Sequence, residues 1–155
     1  MAAITDHCSI LEPSAGEGKI LDVLRDEYNF QGLEIDAVEL NKEKYEILKS
    51  KGYNAYHEDF LKFTPTRLYD RIIACPPFKG NVDVEHIQKM YTHLDRKGIL
   101  VTLTSPNWVN NNDPHQVAFR EWLAGKEYYA RMLTDNSFME KGKSVPTMIL
   151  KIFRK

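Results

Sequence analysis

Short apolar runs alternate along the chain with helix-like patterns and polar turns. A run such as Ile72-Ile73-Ala74 is suited to a strand buried on both faces. Strands that alternate with helices are typical of a mostly parallel sheet. The pattern predicts seven strands, at 8–12, up to Glu39, and at 53–57, 71–74, 99–104, 128–133 and 147–153. The last two are expected to pair as an antiparallel hairpin, joined by a polar segment around 140–143.

Helical periodicity fills most of the connections between these strands. One apolar stripe has the i, i+3, i+4, i+7 spacing of a buried helix face, at Ile87, Met90, Tyr91 and Leu94. Asp83 is placed to cap that helix, and Gly98 to end the turn after it. Other helices are predicted over about 17–28, from Asn41 to Gly52, and from Asp113-Pro114, with proline at the first helical position. No helix is predicted between the third and fourth strands.

The fourth predicted strand stops at two prolines followed by an aromatic residue. Pro76 and Pro77 lack the N–H groups that would extend it, so the chain leaves the sheet here. In open α/β sheets, ligands bind beyond the carboxyl ends of the strands. The segment Cys75-Pro76-Pro77-Phe78 would present an aromatic ring and backbone carbonyls to such a ligand. The simpler alternative is that the prolines only end the strand.

A second candidate site follows the first strand. Segment 10–20 runs from an apolar strand, through a turn with Gly16 and Gly18, into a helical pattern. Glycines two apart allow backbone N–H groups to approach a ligand at a helix N-terminus, although this spacing alone is a weak signal. Glu39 lies about twenty residues further on, where nucleotide-binding folds place an acidic residue against ribose hydroxyls. Together these features predict a site for a nucleoside-containing cofactor.

These motifs, in this order, resemble the class I S-adenosylmethionine-dependent methyltransferases, and among them the adenine-N6 amino-methyltransferases. The resemblance covers about residues 8–153. It implies a Rossmann-like α/β fold with a seven-stranded, mostly parallel sheet, an antiparallel C-terminal hairpin and helices on both faces, and it implies S-adenosylmethionine as cofactor. The cofactor-binding residues that it implies are Glu12, Pro13, Ser14, Gly16 and Gly18 in the loop, Glu39 with Leu40 at the ribose, and Asp59 with Phe60 at the adenine.

The tetrapeptide Cys75-Pro76-Pro77-Phe78 stands in the place of the family's catalytic Asn-Pro-Pro-Phe/Tyr. An exocyclic amine is a poor nucleophile because its lone pair is delocalised into the ring. Two acceptors beside its N–H groups favour attack on the methyl group. In the family these are the first side chain and the carbonyl of the next proline, which corresponds to Pro76. The aromatic residue, here Phe78, stacks on a base turned out of its helix.

Cys75 departs from the family pattern, because a thiol is a weaker acceptor than an amide oxygen. Three interpretations stay open. Cys75 is a nucleophile, as in cytosine-C5 methyltransferases, although their cysteine follows the proline. Alternatively, it replaces the serine of the cytosine-N4 enzymes and leaves activity possible. In the third, the site is weakened but still binds cofactor, since losing one preorganised partner costs about 2 to 4 kcal/mol.

The composition is consistent with a single domain over residues 1–155 in a reducing, cytoplasmic compartment. Lys and Arg total 21 against 22 Asp and Glu, so no global positive field favours nucleic acid and any such contact must be local. Two cysteines and five histidines show no zinc-ligand spacing, and we expect no metal. No apolar segment approaches about 18 residues, so no membrane span is expected. His86 and His93 are assigned no role.

Two further residues are candidates for substrate contact. Lys79 (for phosphate) and Trp108 (for a base) lie where the family's substrate-facing loops are found. The alternatives are a solvated lysine and a tryptophan that packs beneath its own loop. The segment before the first strand offers little of the family's N-terminal cover, and no target-recognition domain is evident. Specificity is therefore expected from loops or from a partner subunit or domain.

The resemblance implies methyl transfer to an exocyclic amine, most simply adenine N6 of DNA, or of RNA. Two alternatives are carried forward. One is a catalytically weakened, methyltransferase-like module that binds cofactor or nucleic acid within a larger assembly. The other is an N-methyltransferase acting on protein glutamine or on a small molecule.

Overall fold

The computed structural model describes residues 2–134, 139–140 and 143–155, which contain a seven-stranded sheet and a separate two-stranded pair. The strands are β1 (Ser9–Glu12), β2 (Glu34–Glu39), β3 (Asn54–His57), β4 (Tyr69–Ala74), β5 (Leu94–Thr104), β6 (Glu127–Met132), β7 (Met139–Glu140), β8 (Lys143–Ser144) and β9 (Met148–Phe153). The large sheet has the order β3-β2-β1-β4-β5-β9-β6, and β7 pairs with β8. The predicted seven-stranded sheet is confirmed.

Strand direction divides the sheet into two parts. Strands β1 to β5 are parallel to one another, whereas β9 is antiparallel to both β5 and β6. The predicted antiparallel C-terminal hairpin is therefore present. The order of the strands reverses beside β1, which pairs with β2 on one side and β4 on the other. Such a reversal opens a crevice at the carboxyl ends of the strands, where ligands bind in open α/β sheets.

Helices cover both faces of the sheet. They are α1 (Lys19–Asp26), α2 (Lys42–Ser50), α3 (Val82–Thr92), α4 (Asn107–Asn110) and α5 (Pro114–Ala124), with a single 3-10 turn at Lys79–Asn81. Ile10 packs in the cluster with α1 and α2, and its neighbour Leu11 packs in the cluster with α3 and α5. This alternation is the two-residue period of a strand buried on both faces. None of the helices described has both the length and the apolar character needed to cross a bilayer.

Two predicted helix starts are wrong. α1 begins at Lys19, two residues after the predicted start, because Gly18 adopts a left-handed conformation (φ 83°) as the residue before the helix. α3 is preceded by Asn81, which is also left-handed (φ 65°), and Asp83 lies inside the helix. The Asp83 carboxylate instead accepts hydrogen bonds from Thr104 Oγ1 at 2.8 Å and the Ser105 N–H at 2.9 Å. It therefore ties α3 to the end of β5.

The fifth strand is longer than predicted. Leu94, expected on the helix stripe, is the first residue of β5 and pairs with Tyr69, and Gly98 lies within the strand. A Cβ at Gly98 would stand 2.7 Å from the Asp95 carbonyl oxygen, which explains the glycine better than a turn does. The short helix α4 was not predicted. The connection over 58–68 contains no helix, as expected.

Candidate functional site

The loop after β1 is shaped by two left-handed glycines with different roles. Gly16 has φ 55°, and a Cβ there would enter open space. Gly18 has φ 83°, and a Cβ there would approach Leu48 Cδ2 to 2.8 Å and the Tyr53 ring to 3.2 Å. Gly18 therefore allows the start of α1 to pack against α2 and the residue before β3, while Gly16 borders open space. Of the two glycines predicted to bind cofactor, Gly16 lines a cavity and Gly18 serves packing.

Glu39 joins this loop to the end of β2. Its Oε2 accepts a hydrogen bond from the Gly16 N–H at 2.7 Å, and its Oε1 accepts one from the Asn41 N–H at 2.7 Å. Asn41 in turn caps α2 by accepting from the Lys44 N–H. The carboxylate is held by two fixed backbone donors, and each oxygen keeps a second lone-pair direction for a ligand hydroxyl.

Glu12, the last residue of β1, is the most unusual charged group of the site. Glu12 is only 2% exposed, and its Oε2 is buried without a hydrogen-bond partner among the described residues. Burial, and secondarily the Glu39 carboxylate, raises the pKa of Glu12 well above its usual range. A native protein rarely leaves a buried carboxyl oxygen without a partner, so a ligand that brings a hydrogen-bond donor would fit beside this group.

Asp59 and Phe60 follow β3 at the same edge of the sheet. The Asp59 carboxylate accepts a hydrogen bond from the Leu61 N–H at 2.9 Å, which fixes the turn. Phe60 is buried, and its ring lies 5.2 Å from the ring of His86. The tilted contact between these rings forms one wall of the cavity described below.

His86, on α3, was missed by the sequence reasoning. It is buried, its Nδ1 lies 3.4 Å from Ser14 Oγ, and burial lowers its pKa below the usual range. The ring links the loop after β1 to the turn after β3. A histidine seven residues from another carries no sequence signal for this position. Only the placement of α3 over both loops reveals it.

The tetrapeptide lies just beyond β4. Pro76 is buried, Pro77 is exposed, and Cys75 and Phe78 are half-buried. Gly80 and Asn81, which follow, are both left-handed. On α5, Gln116 Nε2 donates a hydrogen bond to the Asn81 Oδ1. The tetrapeptide is thus held between β4 and a turn that α5 anchors.

One cavity of about 680 Å³, the main cavity, brings most of the predicted residues together. A protein pocket for a small ligand commonly has this size. The predicted residues that line it are Pro13, Ser14, Gly16, Glu39, Leu40, Asp59, Phe60, Cys75, Pro76, Pro77 and Phe78. A second cavity of about 420 Å³, the side cavity, contains Glu12 and adjoins it.

The charges along the two cavities are mostly negative. Carboxylates are contributed by Glu17, Glu39, Glu58 and Asp59, against the ammonium groups of Lys19 and Lys44, and Glu12 adds a carboxyl whose pKa is raised. This balance is complementary to a ligand that carries positive charge. No cluster of three metal-ligating side chains occurs in the part of the chain that the structure describes.

The two candidates for substrate contact are not brought to the cavities. Lys79 is exposed at the start of the 3-10 turn and lines neither cavity. Trp108 is only 5% exposed and packs edge-to-face on Phe119 with centroids 5.6 Å apart. The prediction that Trp108 offers its ring to a base is therefore corrected, because α4 turns the ring into the core against α5.

Solved structures with the same architecture come from several methyltransferases. The methyltransferase subunit of a type I restriction-modification system from Streptococcus thermophilus is 17% identical, with a TM-score of 0.79, over 97% of this chain and 40% of that one. The chain has the class I methyltransferase fold. An rRNA methylase from Streptococcus thermophilus shares this class I methyltransferase fold at 15% identity and a TM-score of 0.63, over 99% of this chain and 92% of that one.

A third class I methyltransferase fold belongs to coclaurine N-methyltransferase, solved with N-methylheliamine and SAH. It is 19% identical, with a TM-score of 0.57, over 66% of this chain and 32% of that one. No protein-family model and no curated protein matches the sequence. The chain spans about two fifths of the restriction-modification subunit that it matches. The likeness therefore establishes the class I methyltransferase fold, while a target has to be argued from the site.

Proposed function

We propose that this chain is an S-adenosylmethionine-dependent methyltransferase that acts on an exocyclic amine, with adenine N6 of DNA, or of RNA, as the preferred substrate. One observation carries the proposal. A single cavity is lined at once by the loop after β1, the acid that ends β2, the Asp59-Phe60 turn and the tetrapeptide after β4. These four segments come from separate parts of the sequence, so their convergence supports one shared ligand site.

The residues present fit the cofactor. Glu39 has carboxylate oxygens for two ribose hydroxyls, and Asp59 and Phe60 offer an acceptor and an apolar wall to an adenine. Glu12 offers its unpartnered oxygen to an ammonium group, whose positive charge would favour the ionised carboxylate. When bound, S-adenosylmethionine supplies an electrophilic methyl group on a positively charged sulfur. The acidic lining of the cavities suits that charge.

The tetrapeptide supplies the groups that would hold the amine. The Pro76 carbonyl would accept one of its N–H groups, and Cys75 stands where the second acceptor is needed. Phe78, half-buried at the rim, would stack on a base that has been turned out of its helix. Lone pairs placed in this way favour the tetrahedral nitrogen that attacks and stabilise the positive charge that develops on it.

The first experiment is a calorimetric titration of S-adenosylmethionine into the purified chain and into Gly16→Val. Gly16 lines both cavities, so the valine side chain would occupy ligand space. The matched control is Gly52→Val, since Gly52 is also left-handed (φ 85°) with open space around its missing Cβ and lines neither cavity. We expect binding that Gly16→Val abolishes and Gly52→Val retains. Equal loss in both variants would remove the support for this site.

The target is tested next with adenine-containing DNA and RNA. Replacing Cys75 with Asn restores an amide acceptor and should raise methyl transfer by about 30- to 1000-fold if the thiol limits the rate. Phe78→Ala should weaken nucleic-acid binding by about 1 to 3 kcal/mol if a base stacks there. Transfer to glutamine peptides or small amines, with none to nucleic acid, would favour the other N-methyltransferase instead.

Cys75 is also the observation that favours a second candidate, a module that binds cofactor without methylating an amine. A thiol accepts hydrogen bonds weakly. Bound cofactor with no amine methylation, even in Cys75→Asn, would establish this candidate. Under either function we infer that target recognition depends on a partner subunit or domain, since the balanced charge gives no general attraction to nucleic acid. The cytoplasmic location stays a prediction.

A further inference from the structure

The main and side cavities meet at four shared residues. Ser14, Gly16, Lys44 and Cys75 line both of them, and each cavity then extends in its own direction. The main cavity reaches Glu39 and Asp59, and the side cavity reaches Glu12. Cys75 is the one shared residue with a sulfur nucleophile. This residue therefore lies at the junction between two differently lined compartments.

The two compartments suit the two ends of one molecule. The main cavity offers carboxylates and the Phe60 ring to a nucleoside. The side cavity offers the Glu12 carboxyl, whose Oε2 is buried and has no partner among the described residues, to an ammonium group. A ligand with a nucleoside at one end and an amino acid at the other has its central atoms at the junction. In S-adenosylmethionine those atoms are the sulfonium and its methyl group.

We propose that Cys75 is itself a methyl acceptor, so that the chain methylates its own thiol. This inference rests on the proposed function, since it needs the cofactor in the cavity. The Cys75 Sγ forms a bond to the methyl carbon, and the bond from that carbon to the sulfonium breaks with its electron pair left on the departing sulfur. The Sγ proton is released to solvent. The products are S-methylcysteine at position 75, S-adenosylhomocysteine and one proton, so atoms and charge balance.

The chemistry of the thiol favours this step over attack by most other groups of the site. A thiolate is a strong nucleophile and is the reactive form of cysteine. Holding two reactants side by side raises their effective concentration to very high values, about 10⁵ M or more in favourable geometries. Cys75 is half-buried at a cavity that opens to solvent, so its proton has an exit. The thioether formed has no S–H donor, and each chain reacts once.

Cys8 provides an internal control. It is the only other cysteine of the sequence and lies just before β1, at the opposite end of that strand from the loop. It is buried, the Thr5 N–H points to its sulfur at 3.5 Å, and it lines neither cavity. Self-methylation directed by the site should therefore distinguish the two thiols, whereas general alkylation of thiols in the unfolded chain would not.

The test incubates the full chain with S-adenosylmethionine that carries a deuterated methyl group, followed by peptide mass spectrometry. Protein as purified is measured first, because host cells contain the unlabelled cofactor. We expect one methyl group on Cys75, labelled or unlabelled, and none on Cys8. The modification should be lost in Cys75→Ser and Gly16→Val and retained in Cys8→Ser and Gly52→Val. A thiol count under denaturing conditions should fall from two to one.

The outcomes separate this inference from the proposed function. Cofactor bound by calorimetry with no methyl group on Cys75, labelled or unlabelled, overturns self-methylation and leaves the methyltransferase proposal intact. Methyl groups on both cysteines, or on Cys75 in Gly16→Val, show alkylation that the site does not direct and also overturn it. Absence of cofactor binding overturns both proposals together.

Discussion

Buried carboxyl groups at the two ends of the central strands differ in their hydrogen-bond partners. In the first half of the strands, Asp36 is buried and accepts hydrogen bonds from Tyr69 at 2.7 Å, Asn54 at 2.6 Å and Arg67 at 3.0 Å. At the carboxyl end of the neighbouring strand, Glu12 is equally buried and its Oε2 has no partner in the described part of the chain. Both carboxyls lie in the same sheet, yet only the Asp36 carboxylate is surrounded by several hydrogen-bond donors.

This difference indicates a structural role for Asp36 and a ligand-binding role for Glu12. A buried carboxylate with several donors strengthens the fold, because its desolvation is offset by charge-assisted hydrogen bonds. A buried carboxyl without donors weakens the fold and is retained where a ligand supplies the missing partner. Four substitutions test the roles given to these residues, in decreasing order of their expected effect on the free energy of unfolding.

The largest effect is expected for Asp36→Ala. It removes the shared acceptor of Tyr69, Asn54 and Arg67 and should cost about 3 to 5 kcal/mol of unfolding free energy. Urea unfolding followed by tryptophan fluorescence measures it. The matched control is Glu34→Ala, which removes an exposed partner of Arg67 and should cost less than about 1 kcal/mol. Equal losses of unfolding free energy in the two variants would show that the buried hydrogen bonds of Asp36 add no more stability than the exposed ion pair of Glu34.

A smaller loss of unfolding free energy is expected for Gly18→Ala. The added Cβ meets Leu48 and Tyr53 in the core, and the left-handed backbone strains any side chain, so we expect about 2 to 3 kcal/mol. Gly16→Ala introduces the same backbone strain without a clash of the Cβ, and it should cost about 1 to 2 kcal/mol. Chemical denaturation of both variants measures the difference. A greater loss in Gly16→Ala would contradict the packing role given to Gly18.

Ser9→Ala tests the amino end of the sheet with a pH dependence. Asp70 accepts hydrogen bonds from the Ser9 N–H at 2.9 Å and Oγ at 2.8 Å, and these bonds, the backbone one first, hold the pKa of Asp70 below its usual range. The resulting stability is present above the unfolded pKa and is lost as pH falls through the folded value. Ser9→Ala should cost about 1 to 2 kcal/mol near neutral pH and less in acid. An equal cost at both pH values would disprove this linkage.

The smallest effect on stability, and the opposite pH slope, is expected for Glu12→Gln. Because burial raises the pKa of Glu12, the folded chain keeps a proton that the unfolded chain loses, and stability falls as pH rises from the usual carboxyl range toward the raised value. Glutamine resembles the protonated form and should remove that fall, so the variant is at least as stable near neutral pH. Denaturation across pH measures this, and calorimetry should show weaker cofactor binding. A marked loss of stability would show that Glu12 is structural.

The sheet was predictable because its signals are local. Apolar runs such as Ile72-Ile73-Ala74 and the proline stop after them depend only on neighbouring residues. The boundaries failed where a distant contact decides the conformation. Local sequence rules predict Asp83 as a helix cap, yet Thr104 and Ser105 donate hydrogen bonds to its carboxylate across the core.

The candidate site was predictable only as far as its motifs are contiguous. Glu39 ends β2, Asp59 and the tetrapeptide come just after β3 and β4, and all of them line the crevice beside β1. His86 and the burial of Trp108 depend on how α3, α4 and α5 pack, which no spacing along the chain encodes. The unpartnered state of Glu12 is likewise a property of three-dimensional packing.

The position of β9 has a consequence for how the chain matures. β9 follows β6 in sequence but lies between β5 and β6 in the sheet. During synthesis, β5 therefore emerges with one edge unpaired, and β6 has no described strand of this sheet beside it, until β9 is made. An unpaired strand edge of this kind can form hydrogen bonds with the strand of another nascent chain. Pairing of β9 with both β5 and β6 ends this exposure to aggregation.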